Sequence, residues 1–361
     1  MESFEFQYNL EKYHGMTSRH ECPNCHDKHS FTYYVDVDGN PLDALCGKCN
    51  HENSCGYHLA PKQFFEANHM EYKKPDVTPS SKEIRPINYI PMEYVLRSRS
   101  DRNNLVDFIK SILDNEHMKI APEIFDMYRI GSTKDGRIIY WQIDRNGLVR
   151  TGKVIKYDKT TGHRVKGQSD CVNWIHSMLK AKGVLNDDYN LGQCLFGEHL
   201  LTVFPGKQVF VVEAEKTAIL CAICMPDFVW LATGGLSQMS QEKMTALKDR
   251  EVILIPDTDV DGVAFNKWME FSRRLDFCKS VQVCDYLERY STPKQKEYGC
   301  DIADMLVDAF RIRKRTEQLN PNKDEPFKHE TKAERNIQAM TIKNPLLLSL
   351  VDKLSLQLIN S

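Results

Sequence analysis

The sequence predicts an α/β protein: a parallel sheet flanked by helices, preceded by a basic α+β domain and a small cysteine-rich β head. Three observations carry this reading. From Gln208 onward, short β-rich runs alternate with helical stretches, the pattern of a parallel sheet with crossover helices. Before that, two alternating runs flank Asn146-Gly147, a strong hairpin signal. At the start, five of the 12 cysteines lie between Cys22 and Cys55.

The bulk composition sets bounds. The chain has 361 residues, which at about 150 per domain suggests two or three domains. Hydrophobic residues make up 41% and charged residues 27%, enough apolar material to exclude disorder throughout. No apolar run approaches the roughly 18 residues of a membrane span, so no membrane partner is expected. MESFEFQYNLEKYHG lacks the basic and apolar regions of a secretory signal, so the expected location is cytoplasmic. The net charge of −2 hides local asymmetry.

Residues 1–72 read as a zinc ribbon. Cys22-Pro-Asn-Cys25 and Cys46-Gly-Lys-Cys49 form two CxxC pairs separated by 20 residues. Each pair can aim two thiolates at one tetrahedral ion, and the alternating stretch around Asp38-Gly39 supplies the hairpin. The expected ligands of a structural Zn2+ are therefore Cys22, Cys25, Cys46 and Cys49. His51, Cys55 and His58 follow as bystanders, any of which could substitute. Residues 73–87, rich in Pro and Ser, read as a linker.

Residues 88–207 read as an α+β domain with helical patterning near 104–115 and strands from 137 to 166. From Arg145 to Lys182 there are nine Lys or Arg against two Asp, with Tyr140, Trp141, Tyr157 and Trp174 interleaved or close by. Charges for phosphates and rings for bases suit single-stranded nucleic acid. The candidates are Trp141, Arg150, Lys153, Lys156, Arg164 and Lys166. The competing reading is a solvated hairpin with aromatic core residues. Gly147-Leu-Val-Arg-Thr-Gly152-Lys153 imitates a P-loop. However, Val154 stands where Ser or Thr is required, and a strand follows instead of a helix.

Residues 208–310 carry the acidic site. Glu213 follows the apolar run VFVV, and Asp257-Thr-Asp259-Val-Asp261-Gly262 follows VILIP. Ligand sites in open parallel sheets lie at the carboxyl ends of strands, so Glu213, Asp257 and Asp259 are expected to lie near one another. Clustered carboxylates with an otherwise open shell suit Mg2+ or Mn2+. Lys216 could reach a phosphate or form a salt bridge on its helix face.

The order strand–Glu, Gly-Gly, strand–DxDxxG resembles the TOPRIM domain shared by primases, topoisomerases and some nucleases. The resemblance implies metal binding and acid–base catalysis for Glu213, metal binding for Asp257 and Asp259, and a closing turn at Gly262. It also aligns the glycine turn with Gly234 and Gly235, and a later acidic pair with Asp301 and Asp304. Ala214 stands where the family usually has Gly. A four-cysteine ribbon before TOPRIM resembles primases, above all those of phage and plasmid type. GQCLFGEHLL (192–201) and the closing NPLLLSLVDKLSLQLI resemble primase-like proteins of Bacteroidetes genomes and mobile elements.

The resemblance implies a DNA primase or primase-like replication protein, a metal-dependent nucleotidyltransferase using single-stranded DNA and nucleoside triphosphates. A TOPRIM-type nuclease and a non-catalytic zinc-ribbon DNA-binding protein of a mobile element are the rivals. Residues 311–361 read as a charged tail and an apolar helix. That helix either docks on its own domain or meets a replicative helicase in trans.

Overall fold

A computed structural model of the chain describes residues 8–51, 55–70, 85–165 and 171–319. The chain divides into two compact units, Met1–Ile84 and Arg85–Ser361.

The first unit is a four-stranded antiparallel sheet: β1 (Asn9–Leu10), β2 (Phe31–Val35), β3 (Gly47–Cys49) and β4 (His58–Leu59), in that spatial order. Helix α1 (Pro61–Ala67) follows, with Pro61 at its first position, where a missing N–H costs nothing. Phe31 is fully buried beside Cys22 and Cys49, with Tyr33 and Tyr57 against them. So little apolar area cannot hold a fold alone.

The second unit opens with α2 (Glu93–Ser98), α3 (Asn104–Ile112) and α4 (Asn115–Met127). Asn103 caps α3 through the Val106 N–H, and Asp114 caps α4 through the N–H groups of Glu116 and His117. An antiparallel sheet follows: β5 (Gly131–Ser132), β6 (Ile138–Ile143), β7 (Val149–Ile155) and β8 (Val172–Trp174), continued by α5 (Ile175–Ala181). Gly147 closes the β6–β7 turn at φ 78°.

After α6 (Leu200–Val203) come β9 (Val209–Val212), α7 (Glu215–Cys224) and β10 (Val229–Ala232). Then follow α8 (Gln241–Met244), β11 (Glu251–Leu254), α9 (Val263–Ser272) and β12 (Ser280–Val283). Helices α10 (Tyr286–Tyr290), α11 (Pro293–Tyr298) and α12 (Ile302–Leu319) end the described chain. The second sheet is parallel throughout, in the order β10-β9-β11-β12. The parallel sheet expected from the alternating runs is therefore present. The expected closing apolar helix lies outside the described residues, as does most of the expected linker.

The middle and acidic regions share one core. A single apolar cluster runs from Leu105 in α3 through Tyr140, Val211 and Leu254 to Phe310 in α12. A second cluster, with Ile139, Trp141, Ile143, Val154 and Ile175, covers the opposite face of β6 and β7. Side chains on a strand alternate between faces, so a strand covered on both sides buries every residue. This is why IIYWQI is buried throughout. It also decides between the two readings of the aromatic residues: Tyr140, Trp141 and Tyr157 are core.

Gly152 is required by this packing. A Cβ there would lie 2.9 Å from Ile175 Cγ1 and 3.0 Å from Trp141 Cε3. Its backbone is mid-strand in β7, so the P-loop imitation is a strand. Gly152→Ala should lower stability by about 1–3 kcal/mol through overpacking. Urea denaturation should show a reduced midpoint at unchanged m.

Candidate functional sites

Four thiols converge in the first unit. The sulfurs of Cys22, Cys25, Cys49 and Cys55 all lie within 4.8 Å of one another. Cys22 Sγ is 3.7 Å from Cys55 Sγ, and Cys25 Sγ is 3.9 Å from Cys49 Sγ. Zinc–sulfur bonds of about 2.3 Å in a tetrahedron place sulfurs about 3.8 Å apart, so the set fits Zn2+. Outer donors are in place: Asn24 Nδ2 donates to Cys55 Sγ at 3.3 Å and the His51 N–H to Cys49 Sγ at 3.4 Å. The Asp27 backbone N–H and His51 hold the Cys25 thiol down at about 6.

Cys46 was expected as a ligand and is not one of the four. Cys22-Pro-Asn-Cys25 turns, with the His26 N–H on the Cys22 carbonyl at 2.9 Å, so both sulfurs face one point. Cys46-Gly-Lys-Cys49 runs into strand β3, where residues three apart face opposite sides. Cys46 is buried, its S–H donates to the Leu59 carbonyl at 3.4 Å, and burial pushes the thiol up to about 11. That hydrogen bond needs the proton a zinc ligand must lose. Cys55 takes its place through a turn in which its N–H reaches the His51 carbonyl at 2.9 Å. In the structure Gly47–Cys49 pairs with Phe31–Tyr33 of β2, a pairing that the CxxC spacing alone does not reveal.

In the second unit, Glu213 follows β9 and Asp257 follows β11, two adjacent strands of the parallel sheet. Glu213 is buried, and its Oε1 accepts from Trp268 Nε1 at 3.2 Å. Burial pushes its carboxyl up. The Trp268 indole and the Asp257 N–H oppose that push, while Asp301 and Asp259 add to it. Asp257 is pushed well up by burial, then by Glu213, Asp301 and Asp304. Asp301 is also raised by burial, although Lys216 opposes it. These groups therefore feel one another's charge, which a divalent cation would relieve. Among the described residues, the four cysteines are the only set of three or more His, Cys, Asp or Glu ligand atoms within 4.8 Å of one another.

Asp259 differs from the other two. It accepts from the N–H groups of Asp261 at 3.0 Å, Val263 at 2.9 Å and Ala264 at 2.7 Å. Burial works against its charge, but these donors win and hold its carboxyl below the usual range. It anchors the loop to the start of α9, where Gly262 turns the chain at φ 65°. Asp301 and Asp304 form a reciprocal box at the start of α12: each carboxylate accepts the other's N–H, at 2.8 and 3.2 Å. Thr217 Oγ1 donates to Asp301 at 2.6 Å. Lys216 pairs with Asp304 at 3.5 Å. Ala214 adopts φ −103° and ψ 145°, ordinary extended backbone, so replacing Gly there strains nothing.

The basic face is largely internal. Lys153 Nζ sits 3.1 Å from both Glu215 oxygens and 3.0 Å from the Gly234 carbonyl. The two side chains are 11% and 3% exposed, so this ion pair is buried. Arg150 pairs with the fully buried Asp144 at 2.8 Å and donates to the Gly192 carbonyl at 3.1 Å. Trp141 is 1% exposed, and its Nε1 donates to Ser98 Oγ at 3.0 Å. The expectation that Trp141, Arg150 and Lys153 line a nucleic-acid groove is therefore corrected: burial occupies each elsewhere. Lys156 is partly exposed and Arg164 exposed. Lys166 lies outside the described residues. The Gly234-Gly235 turn has φ 92° and 135°, open only to glycine. Lys243, buried and missed in the sequence, donates to the Thr233 carbonyl at 3.2 Å beside that turn.

Residues 6–70 match the zinc beta-ribbon finger family. Residues 103–258 match DUF6371, a domain of unknown function, and span Glu213 and Asp257. No curated protein matches the chain. Among solved structures, the primase fragment of the bacteriophage T7 primase-helicase is similar at 16% identity and TM-score 0.36, covering 83% of this chain and 98% of that one. The Aquifex aeolicus primase zinc-binding and RNA polymerase domains match at 12% identity and TM-score 0.33, covering 96% and 91%. A Pseudomonas aeruginosa DNA primase domain matches at 17% identity and TM-score 0.32, covering 68% and 78%.

Two outcomes follow from the geometry. Cys55→Ser should abolish stoichiometric zinc in a metal-release assay, whereas Cys46→Ser should retain it. Lys153→Met should cost about 3–5 kcal/mol in chemical denaturation by leaving Glu215 buried and unpaired, and adding Glu215→Gln should restore most of it.

Proposed function

We propose that this chain is a primase-like replication protein that carries out template-directed nucleotidyl transfer on single-stranded DNA at Glu213 and Asp257. One observation carries the reading: Glu213 and Asp257 follow adjacent parallel strands, where burial pushes both carboxyls up and Glu213 pushes Asp257 further, as groups awaiting a divalent cation would be. Glu213 and Asp257 would hold Mg2+ or Mn2+, and Asp259 would add whatever its remaining lone pairs allow. The ion would polarise the phosphate and lower the charge that builds on it. Glu213, raised by burial, is suited to take the proton of the attacking 3′-hydroxyl. Trp268 steadies it by holding one of its oxygens. The Gly234-Gly235 turn leaves backbone without side chains beside the site. The TOPRIM resemblance and the four-thiol head support the same reading, with the head engaging template.

The test is a primer-synthesis gel with single-stranded DNA, labelled nucleoside triphosphates and Mg2+ or Mn2+. Wild type should make short, metal-dependent products, and Glu213→Gln should reduce them by about 100-fold or more. Degraded template without products would mean a nuclease. Intact template, no products and unchanged DNA binding in Glu213→Gln would mean a non-catalytic binding protein, the reading that the capping role of Asp259 favours.

A further inference from the structure

Of the four tryptophans, Trp141 packs in the core of the antiparallel sheet, while Trp230 and Trp268 pack in the larger core. Trp174 belongs to neither core and is partly exposed. Its backbone is ordinary extended strand, at φ −126° and ψ 136°, and its side chain caps no helix. The indole thus lies outside both apolar cores. Among the described residues Trp174 ends the edge strand β8 of its sheet, directly opposite Lys153. Paired residues share a face, so the indole lies on the side of Lys153, whose Nζ is 6.0 Å from the ring centroid. That ammonium contacts Glu215 and the Gly234 carbonyl, which puts the ring beside the glycine turn and the start of α7. His176 stands next to it, ring centroids 5.9 Å apart, fixed by Thr151 Oγ1 at 2.8 Å from Nδ1.

We propose that Trp174, with His176 beside it, is a stacking platform for a nucleobase of the substrate that engages the acidic site. The chemistry selects a base over a phosphate. Lys153 is already neutralised by Glu215, so what the surface offers is two ring faces without net charge. Every base has a π-face, so such a platform tolerates sequence. The platform lies beside the site of the proposed nucleotidyl transfer and rests on that reading for its catalytic context only. The base could belong to an incoming nucleoside triphosphate or to the single strand.

The other three indoles are 1% exposed or less, but Trp268 hydrogen-bonds Glu213, so it is the quenching lost in Trp174→Phe that reports on Trp174. Full-length protein is titrated separately with a short oligothymidylate and with a nucleoside triphosphate, while fluorescence anisotropy of labelled ligand measures binding. Saturable quenching is expected from at least one, and which one quenches identifies the source of the base. Trp174→Phe should abolish quenching and keep affinity within about threefold, whereas Trp174→Ala should weaken binding about tenfold or more. Binding without quenching, Trp174→Ala at wild-type affinity, or binding of neither ligand would overturn the platform. Should Trp174→Ala not fold, loss of quenching in Trp174→Phe decides the matter. Glu213→Gln should retain the quench. Quenching without primer synthesis would leave the platform standing and remove the transferase reading, and primers without quenching would do the reverse.

Discussion

The buried contact of Lys153 with Glu215 and the Gly234 carbonyl is the constraint on which the second unit depends. It joins β7 of the antiparallel sheet to the first turn of α7 and to the glycine turn after β10. Glu215 lies two residues from Glu213, in a neighbourhood that already holds Asp257, Asp301 and Asp304. Without the lysine, a further buried negative charge would add to that repulsion. The pair thus lets a parallel sheet carry a crowd of carboxylates at the carboxyl end of its central strands while the glycine turn is held open beside them. Lys243 on the Thr233 carbonyl fixes the same turn from the α8 side.

Charge in this chain is sorted by burial, not by its position in the sequence. The basic stretch around β7 looks like a phosphate-binding surface when read linearly. Folded, its most regular members turn inward to neutralise Asp144 and Glu215. The basic residues that reach the surface, such as Arg164, lie beyond the strand. The acidic residues divide in the same way. Asp259 and the Asp301–Asp304 pair satisfy backbone N–H groups at helix starts, whereas burial raises the carboxyls of Glu213 and Asp257, and Glu213 raises Asp257 further.

The zinc head follows a similar rule on a smaller scale. A turn can aim two thiols at one point, and a strand cannot. Cys22 and Cys25 lie on a turn. Cys46, just before β3, and Cys49, within it, face opposite sides, so one joins the thiol cluster and the other packs inside. The fourth ligand must then come from the next turn, which brings Cys55.

Periodicity and turn chemistry were sufficient for much of this. Alternating β-rich and helical runs determined the parallel sheet, Asn146-Gly147 determined the β6–β7 hairpin, and strand-end position determined where Glu213 and Asp257 stand. These are local properties of the chain, or follow from the rule that strand carboxyl ends line up in a parallel sheet. Tertiary structure decided what local pattern cannot hold. Both faces of β6 are covered because helices from distant parts of the chain pack on each side, so Tyr140 and Trp141 became core. The partner of Lys153 is 62 residues away in sequence, and that of Cys22 is 33 away. Trp174 is partly exposed because, among the described residues, its strand ends the sheet, a fact of strand order that no window of sequence contains.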